Sequence, residues 1–594
     1  MANHETDGTT REERLSSQAP EPEGGPGRGR EGGRERVRRH ERILRSKGFI
    51  PTVVVVVLVA FVLLSPRMAG SPPRLETITP ARGKAGDTMI LTGRNFGAAR
   101  KTSEVRIAGV SPTSTDFSEW TDARISVTIP DEATAGIVYV ITPSGRSRGM
   151  LFINQSDIPV PASGSARPGD PYIVSNTDNP IQPPAARVGD TIKIYGMNFG
   201  LEKGSSEVYF TWAGMEPATS GSLDPANLLP ARDYNLDYTS WSDREITLRV
   251  PDGAASGNVL VRSDKGTSNA AYFVVNRGAG TKTYTSPRTC SVQYAMDVTV
   301  SAAAGESTLY LWMPRILPGP EQRKIQAVAQ EPAALLETTD TALYSLSNLQ
   351  KGSKARISMS WMFDRYTVRT QVNPADVPRV YDTSTDLYAK FTAKDPLVPS
   401  ESPEVVKAAA GIVGGETNPW LKARRIYDWL LTQFSYSPAA VEGGAAALRS
   451  KRGNAFVYSS LYCALLRASG IPARMVAGYI AGGSGQPTRR HFWDEFYVET
   501  LGWVPVDPLL GEEPSLIPGQ LPEDFDGSAY YFGNLDNSHI TFTKGLEAVN
   551  QMNPAGSTRR HDDWPYLLTI HEEAVGGLAS YAATFEDLTV TGTY

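Results

Sequence analysis

The segment AGDTMILTGRNFG, Ala85 to Gly97, returns as VGDTIKIYGMNFG, Val188 to Gly200. SEVRIAG from Ser103 returns as SEVYFTWAG from Ser206, and WTDARISVTIPD from Trp120 returns as WSDREITLRVPD from Trp241. A chain that writes one pattern twice folds as two similar units, so the rest of the sequence must be read around this pair. The first two segments recur at an offset of 103 residues and the third at 121, which puts an 18-residue insertion before Trp241 in the second copy. The inserted text, around PATSGSLDPANLLPARDYNLDY, reads as an irregular surface loop. Within each copy, short apolar-alternating runs are bounded by Gly, Asn, Asp and Pro, the pattern of a small antiparallel β-sandwich. Asn-Phe-Gly closes a strand with residues that tolerate positive φ.

These repeats, with ITP ahead of the first and W…PD closing each, resemble the IPT/TIG immunoglobulin-like family over residues 73–153 and 171–276. The resemblance implies spacer or interaction modules without chemistry of their own. Trp120 and Trp241 are expected as core aromatics.

With 594 residues, further domains must follow the pair. A formal net charge of -5 gives no reason to expect a nucleic-acid partner. The two cysteines, Cys290 and Cys463, are too few for a disulfide framework or a cysteine zinc site, and each is expected in a core, with one bridge between them left open.

Residues 1–47 are polar, rich in Gly, Pro, Glu and Arg, and are expected to be disordered on the cytoplasmic side. The uncharged run FIPTVVVVVLVAFVLL, Phe49 to Leu64, follows an arginine cluster, while only Arg67 and Arg74 lie just after it. Residues 48–66 therefore read as a single transmembrane signal anchor with the N-terminus in the cytoplasm. A cleaved signal peptide fits less well, because the preceding region is too long and SPRMAGS offers no small-x-small site. Everything after it is expected on the extracytoplasmic side of the cell membrane.

From Tyr284, strand-like alternation resumes in VQYAMDVTVS, STLYLWMP and ARISMSWMFDRYTVRT, giving a β region over 284–400 ahead of a core over 401–594. NPWLKARRIYDWLLTQFSY is an amphipathic helix whose buried stripe is Trp420, Ala423, Tyr427, Leu430 and Phe434. In RGNAFVYSSLYCALLRASGIPAR, Asn454 suits a helix N-cap, Ala455 is the first helical residue, Leu461, Leu465 and Leu466 face inward, and Gly470-Ile471-Pro472 ends the helix. Strands RMVAGYIAG and HFWDEFYVETLGWVPVDP follow.

GIPARMVAGY, HFWDEFYV and GWVPVDP together resemble the bacterial transglutaminase-like superfamily, which shares the papain-like arrangement, from about Tyr284 to the C-terminus. The resemblance implies an α+β fold and a Cys-His-Asp site. It places His491 at the histidine position, Asp507 at the aspartate position and Gly453 at the glycine before the nucleophile. At the cysteine position stands Ala455. A thiolate at a helix N-terminus beside a histidine is the nucleophile of such a site, and a methyl group leaves the base nothing to activate. Ser459, Ser460 and Cys463 are further along the helix, too far and wrongly rotated to take over a site built around position 455.

The expectation is thus a multidomain, single-pass protein: two all-β sandwiches, then a β region and a transglutaminase-like core with a remnant His491–Asp507 dyad. No cofactor and no metal ligand are assigned. His561, Asp562, Asp563, His571 and Glu572 match no established ligand spacing and read as solvated surface, and His539 reads as structural. A non-catalytic role follows: binding a peptide, an envelope protein or a cell-wall component. The competing readings are an acyl-transfer enzyme with a displaced nucleophile, and a structural envelope protein in which the sandwich pair does the binding.

Overall fold

Among the residues described below, regular structure is mostly strand, and the α-helices lie in the C-terminal half. A computed structural model describes residues 71–133, 136–154, 169–174, 179–214, 224–519, 521–560 and 566–594. Among them no helix is long and apolar enough to cross a membrane. The run expected as the anchor, Phe49 to Leu64, lies outside the described residues, as do the segment 1–47 and the acidic-histidine group His561, Asp562 and Asp563.

Each repeat folds as a two-sheet sandwich. In the first, the strands Arg74–Thr79, Thr88–Arg94, Arg124–Thr128 and Phe117–Trp120 form one sheet and Arg82–Gly83, Met150–Asn154, Gly136–Thr142 and Glu104–Ile107 lie in the other. Met89, Leu91, Val105, Ile125, Val127 and Val138 meet between them. The Asn-Phe-Gly corner is the same in both copies: Asn95 and Asn198 take φ of 63° and 61°, and the following Gly97 and Gly200 take 90° and 98°. Trp120 and Trp241 lie partly exposed over their sandwich cores, each donating its indole N–H to the corner's Phe96 or Phe199 carbonyl at 3.2 and 3.1 Å.

The described part of the second repeat's insertion, from Asp224 on, is not the irregular surface loop expected. Leu228–Pro230 forms a strand against Glu207–Trp212, and Leu228, Leu229 and Ala231 are buried. Tyr234 donates its hydroxyl to the carbonyl of Pro318 at 2.6 Å, and Arg323 donates to the carbonyls of Ala226 and Leu228 at 3.0 and 2.9 Å. The segment's apolar and aromatic residues are spent on an interface, which a single copy read in isolation does not reveal. Trp212 completes that interface, with its ring 4.9 Å from Tyr366 and 5.8 Å from Tyr284.

In the C-terminal half, the strand β1 (Gly280–Pro314) runs through the segments expected as separate strands, bending near Gly305, whose φ is 67°. It pairs with β2 (Lys354–Val372) on one side. On the other it pairs with a 22-residue C-terminal strand, Glu572–Thr593, so the chain's end closes the β region that its middle began. The three longest helices among the described residues are α1 (Pro403–Val413), α2 (Pro419–Gln433) and α3 (Ala455–Ala468). Of the stripe expected on α2, Ala423, Tyr427 and Leu430 are buried, Phe434 caps it from just beyond, and Trp420 packs at its edge. A four-stranded antiparallel sheet lies against α3: β3 (Ala473–Ala481), β4 (Thr488–Val498), β5 (Gly502–Val506) and β6 (His539–Lys544), in the order β5-β4-β3-β6.

A Trp212→Ala variant removes the aromatic that joins the second sandwich to β1 and β2. Cavity formation there is expected to cost about 3–5 kcal/mol, read from the urea midpoint of the cooperative transition that includes the C-terminal half.

Candidate functional site

The helix α3 is buried from Val457 to Arg467, so more than the three expected leucines face inward. Asn454 caps it, its side-chain oxygen accepting the Val457 N–H at 3.1 Å. Helix geometry leaves the N–H groups of Ala455 and Phe456 without intrahelical acceptors, a locally positive end. The helix is fixed against β4 residue by residue. Phe456 meets Phe492 edge to face at 5.4 Å, and the Ser459 hydroxyl donates to Asp494 at 2.9 Å or to the Trp493 carbonyl at 3.0 Å. Ala455 and His491 both line one cavity of about 700 Å³.

His491 forms the floor of the cavity and offers no surface to water. Its Nε2 lies 2.5 Å from Asp507 Oδ2. A carboxylate oxygen only accepts, so Nε2 carries the proton and, in the neutral ring, Nδ1 keeps a lone pair. That Nδ1 is buried and has no hydrogen-bond partner among the described residues. The expected dyad is therefore assembled, with the free nitrogen of its base unsatisfied in a site where the helix N-terminus presents only a methyl group.

Asp507 is itself an N-cap: its other oxygen accepts the Leu510 N–H at 2.9 Å, fixing the carboxylate at the start of the turn after β5. The pair expected from sequence is His491 and Asp507. His539 extends it. Its Nε2 lies 3.1 Å from the same Asp507 Oδ2, and its Nδ1 lies 3.1 Å from Asp536, which also accepts the Tyr531 hydroxyl at 2.7 Å. Two carboxylates facing the two ring nitrogens require two N–H donors. Burial works against charging His539, but Asp536 and Asp507 overcome it and raise the imidazole to about 9. Burial likewise works to raise Asp507, and His491 and His539 overcome it, holding the carboxyl down to about 2. The ligand atoms of His491, Asp507 and His539 lie within 4.8 Å of one another. An imidazolium has no lone pair for a metal, so in this protonation state the trio is a hydrogen-bond chain.

Both histidines reach Asp507 because β3 lies between their strands. Gly478 pairs with His491 on one side and Thr541 on the other, with a bulge in the β3–β6 register. A Cβ at Gly478 would lie 1.9 Å from the Ile540 carbonyl oxygen, so only glycine allows this approach. The motif D-N-S-H at 536–539 was the available signal for His539, but nothing local ties it to a carboxylate 32 residues away.

The possible substitutes for a nucleophile are committed elsewhere. Ser459 is fully buried and bonded to β4, and Ser460 donates to the Leu397 carbonyl at 2.5 Å. Cys463 is fully buried, and burial pushes its thiol far above the ordinary range. Cys290 and Cys463 are both free, so the bridge left open from sequence is not formed. Of the C-terminal group expected on the surface, His571 and Glu572 are instead buried, His571 packing its ring 4.6 Å from Tyr566 and Glu572 entering the C-terminal strand.

Comparison with known proteins agrees with this geometry. Residues 406–508 match the model of the transglutaminase-like superfamily, and residues 73–154 match that of the IPT/TIG domain. The chain thus contains a transglutaminase-like domain behind an IPT/TIG domain. An uncharacterized protein of Haemophilus influenzae is 27% identical over 184 residues, 26% of this chain and 50% of that protein. A protein-glutamine gamma-glutamyltransferase of Pseudomonas aeruginosa is 28% identical over 166 residues, 25% of each chain. The chain therefore spans half or less of the length of these relatives. A putative cysteine protease from Cytophaga hutchinsonii aligns over 53% of this chain and 92% of its own at 14% identity, with a TM-score of 0.34, too low to carry an argument.

The raised imidazole of His539 has a consequence with a definite sign. A folded value of about 9 above an unfolded value of about 6.5 contributes stability that is fully present below pH 6.5 and is lost as pH rises through 9. His539→Gln is expected to be less stable than wild type at pH 6, and the difference should shrink by an amount on the order of 3 kcal/mol by pH 10. Urea unfolding of both proteins across that range measures it. A difference independent of pH would mean that His539 is not charged in the folded protein.

Proposed function

We propose that this chain is a membrane-anchored, extracytoplasmic transglutaminase-like protein without acyl-transfer activity, which binds a peptide, protein or cell-wall component in the cleft above His491. The observation that carries the reading is Ala455 at the N-terminus of α3, in one cavity with a histidine whose Nδ1 has no partner among the described residues. Acyl transfer through this fold needs a thiolate there, to be deprotonated by that nitrogen and attack the carbonyl carbon. A methyl group can do neither. The cleft remains: Phe456 and Phe492 form a wall and do not fill it, and Leu397, Pro438 and Val441 give it an apolar lining beside exposed Arg489. A volume of about 700 Å³ is ordinary for a ligand site. The anchor rests on the uncharged run Phe49 to Leu64 and the arginines before it.

The competing reading, an acyl-transfer enzyme with a displaced nucleophile, draws on the retained dyad and on the Pseudomonas aeruginosa relative's name. It requires Ser459, Ser460 or Cys463 to leave a buried, bonded position, and their geometry argues against it.

Ala455→Cys tests the remnant site. The introduced thiol should titrate below the unperturbed value of about 8.5 and alkylate rapidly near neutral pH, against a low background because both native cysteines are buried. Adding His491→Ala should slow alkylation by about tenfold or more. An introduced cysteine that reacts only after denaturation would show that the cleft is closed and would leave a purely structural role.

A further inference from the structure

A second cavity, of about 460 Å³, shares no lining residue with the cleft at His491 and lies between the second sandwich and the start of the β region. Its walls carry five cations, Arg232, Arg262, Arg315, Arg323 and Lys324, against one carboxylate, Asp252. That carboxylate is already taken by Lys282, whose ammonium lies 2.6 Å away. Three of the five cations have carboxylate partners behind the wall: Arg232 with Glu207 at 2.7 Å, Arg315 with Glu337 at 3.2 Å and Lys324 with Asp364 at 2.8 Å. Arg262 and Arg323 have none among the described residues, and each is stacked instead on a ring, Arg262 on Tyr209 at 4.7 Å and Arg323 on Trp212 at 4.2 Å.

Arg323 is the informative member. It is 7% exposed, its Nη2 is spent on the carbonyls of Ala226 and Leu228, and its Nε has no acceptor. The Nε of Arg315 is also buried without an acceptor. Orphaned guanidinium donors are costly because each bears the desolvation of a charged group. Two of them occur in residues that line this basic cavity, and the buried Arg365, outside its lining, has three more nitrogens without a hydrogen-bond acceptor among the described residues. Burial, joined by the charge of Arg232, lowers the Arg323 guanidinium to about 10, the direction expected of a cation lacking its counter-ion.

We propose that this cavity binds an oxyanion, the carboxylate or phosphate group of a small ligand, through Arg323, Arg315 and Arg262. Guanidinium N–H groups suit either anion, and the volume leaves room beyond the anion for a body the size of a sugar ring. The site is assembled from both domains, since Arg262 belongs to the sandwich and Arg315 and Arg323 to the β region. Its occupant therefore also holds the interface closed. The inference is independent of the cleft above His491.

Titration calorimetry of the detergent-solubilised full chain tests it, with inorganic phosphate and with glucuronate as probes, at ionic strength held constant with sodium chloride. Saturable 1:1 binding of either probe is expected, phosphate alone identifying a phosphate ligand and glucuronate alone a carboxylate one. Arg323→Gln should weaken that binding by about tenfold or more. Because Arg323 also supports the interface, Arg262→Gln, at the partly exposed end of the strand Ala254–Ser263, provides the variant whose fold is not at stake. It should weaken binding in the same direction. Absence of saturable binding of both probes up to about 10 mM, or binding unchanged in both variants, would overturn the proposal.

Discussion

One buried carboxylate organises the candidate site. Asp507 accepts from His491 and His539 on one oxygen and from the Leu510 N–H on the other. An isolated carboxylate at this depth would be driven neutral, and the two rings and one backbone donor keep it ionised. In return it fixes three segments distant in sequence: β4 through His491, β6 through His539, and the turn that follows β5. The orientation of the base is thus a consequence of the packing of the whole sheet. It survives whether or not a nucleophile stands in front of it, which is why a chain with Ala455 still presents a poised imidazole.

A second buried network ties that sheet to the rest of the molecule. Lys544 on β6 sits between Glu321 and Glu495, at 2.9 and 2.8 Å, and Glu495 also receives Arg474 at 2.7 Å. Arg474 in turn lies 3.9 Å over Trp503 and reaches the carbonyl of Tyr234 in the second sandwich's insertion at 3.4 Å. Removing one member of such a network leaves a buried charge uncompensated, at about 3–5 kcal/mol. Sandwich, β region and four-stranded sheet therefore constrain one another, and the basic cavity lies where the first two of them meet.

What was legible in the sequence followed the range of the interactions. The Asn-Phe-Gly corners, the Asn454 cap and the α2 stripe are local, set by one turn or one face, and they read correctly from spacing. His491 and Asp507 were found through motif resemblance and the structure brings them together at 2.5 Å. The insertion of the second repeat misled because its burial depends on Pro318 and Arg323, about a hundred residues away. His539 was read as merely structural for the same reason: strand pairing across Gly478 is what delivers it to Asp507. His571 and Glu572, read as surface, are buried where the C-terminal strand returns to β1.

The proposed function turns on the His491–Asp507 pair facing no nucleophile. Wild-type protein incubated with a glutamine-containing peptide and a primary amine addresses this directly, with ammonia release as the readout. The expected result is no turnover above that of His491→Ala, since no side chain at the helix N-terminus forms an acyl intermediate. Turnover by the wild-type chain that is abolished in His491→Ala and in Ser459→Ala or Cys463→Ala would contradict it.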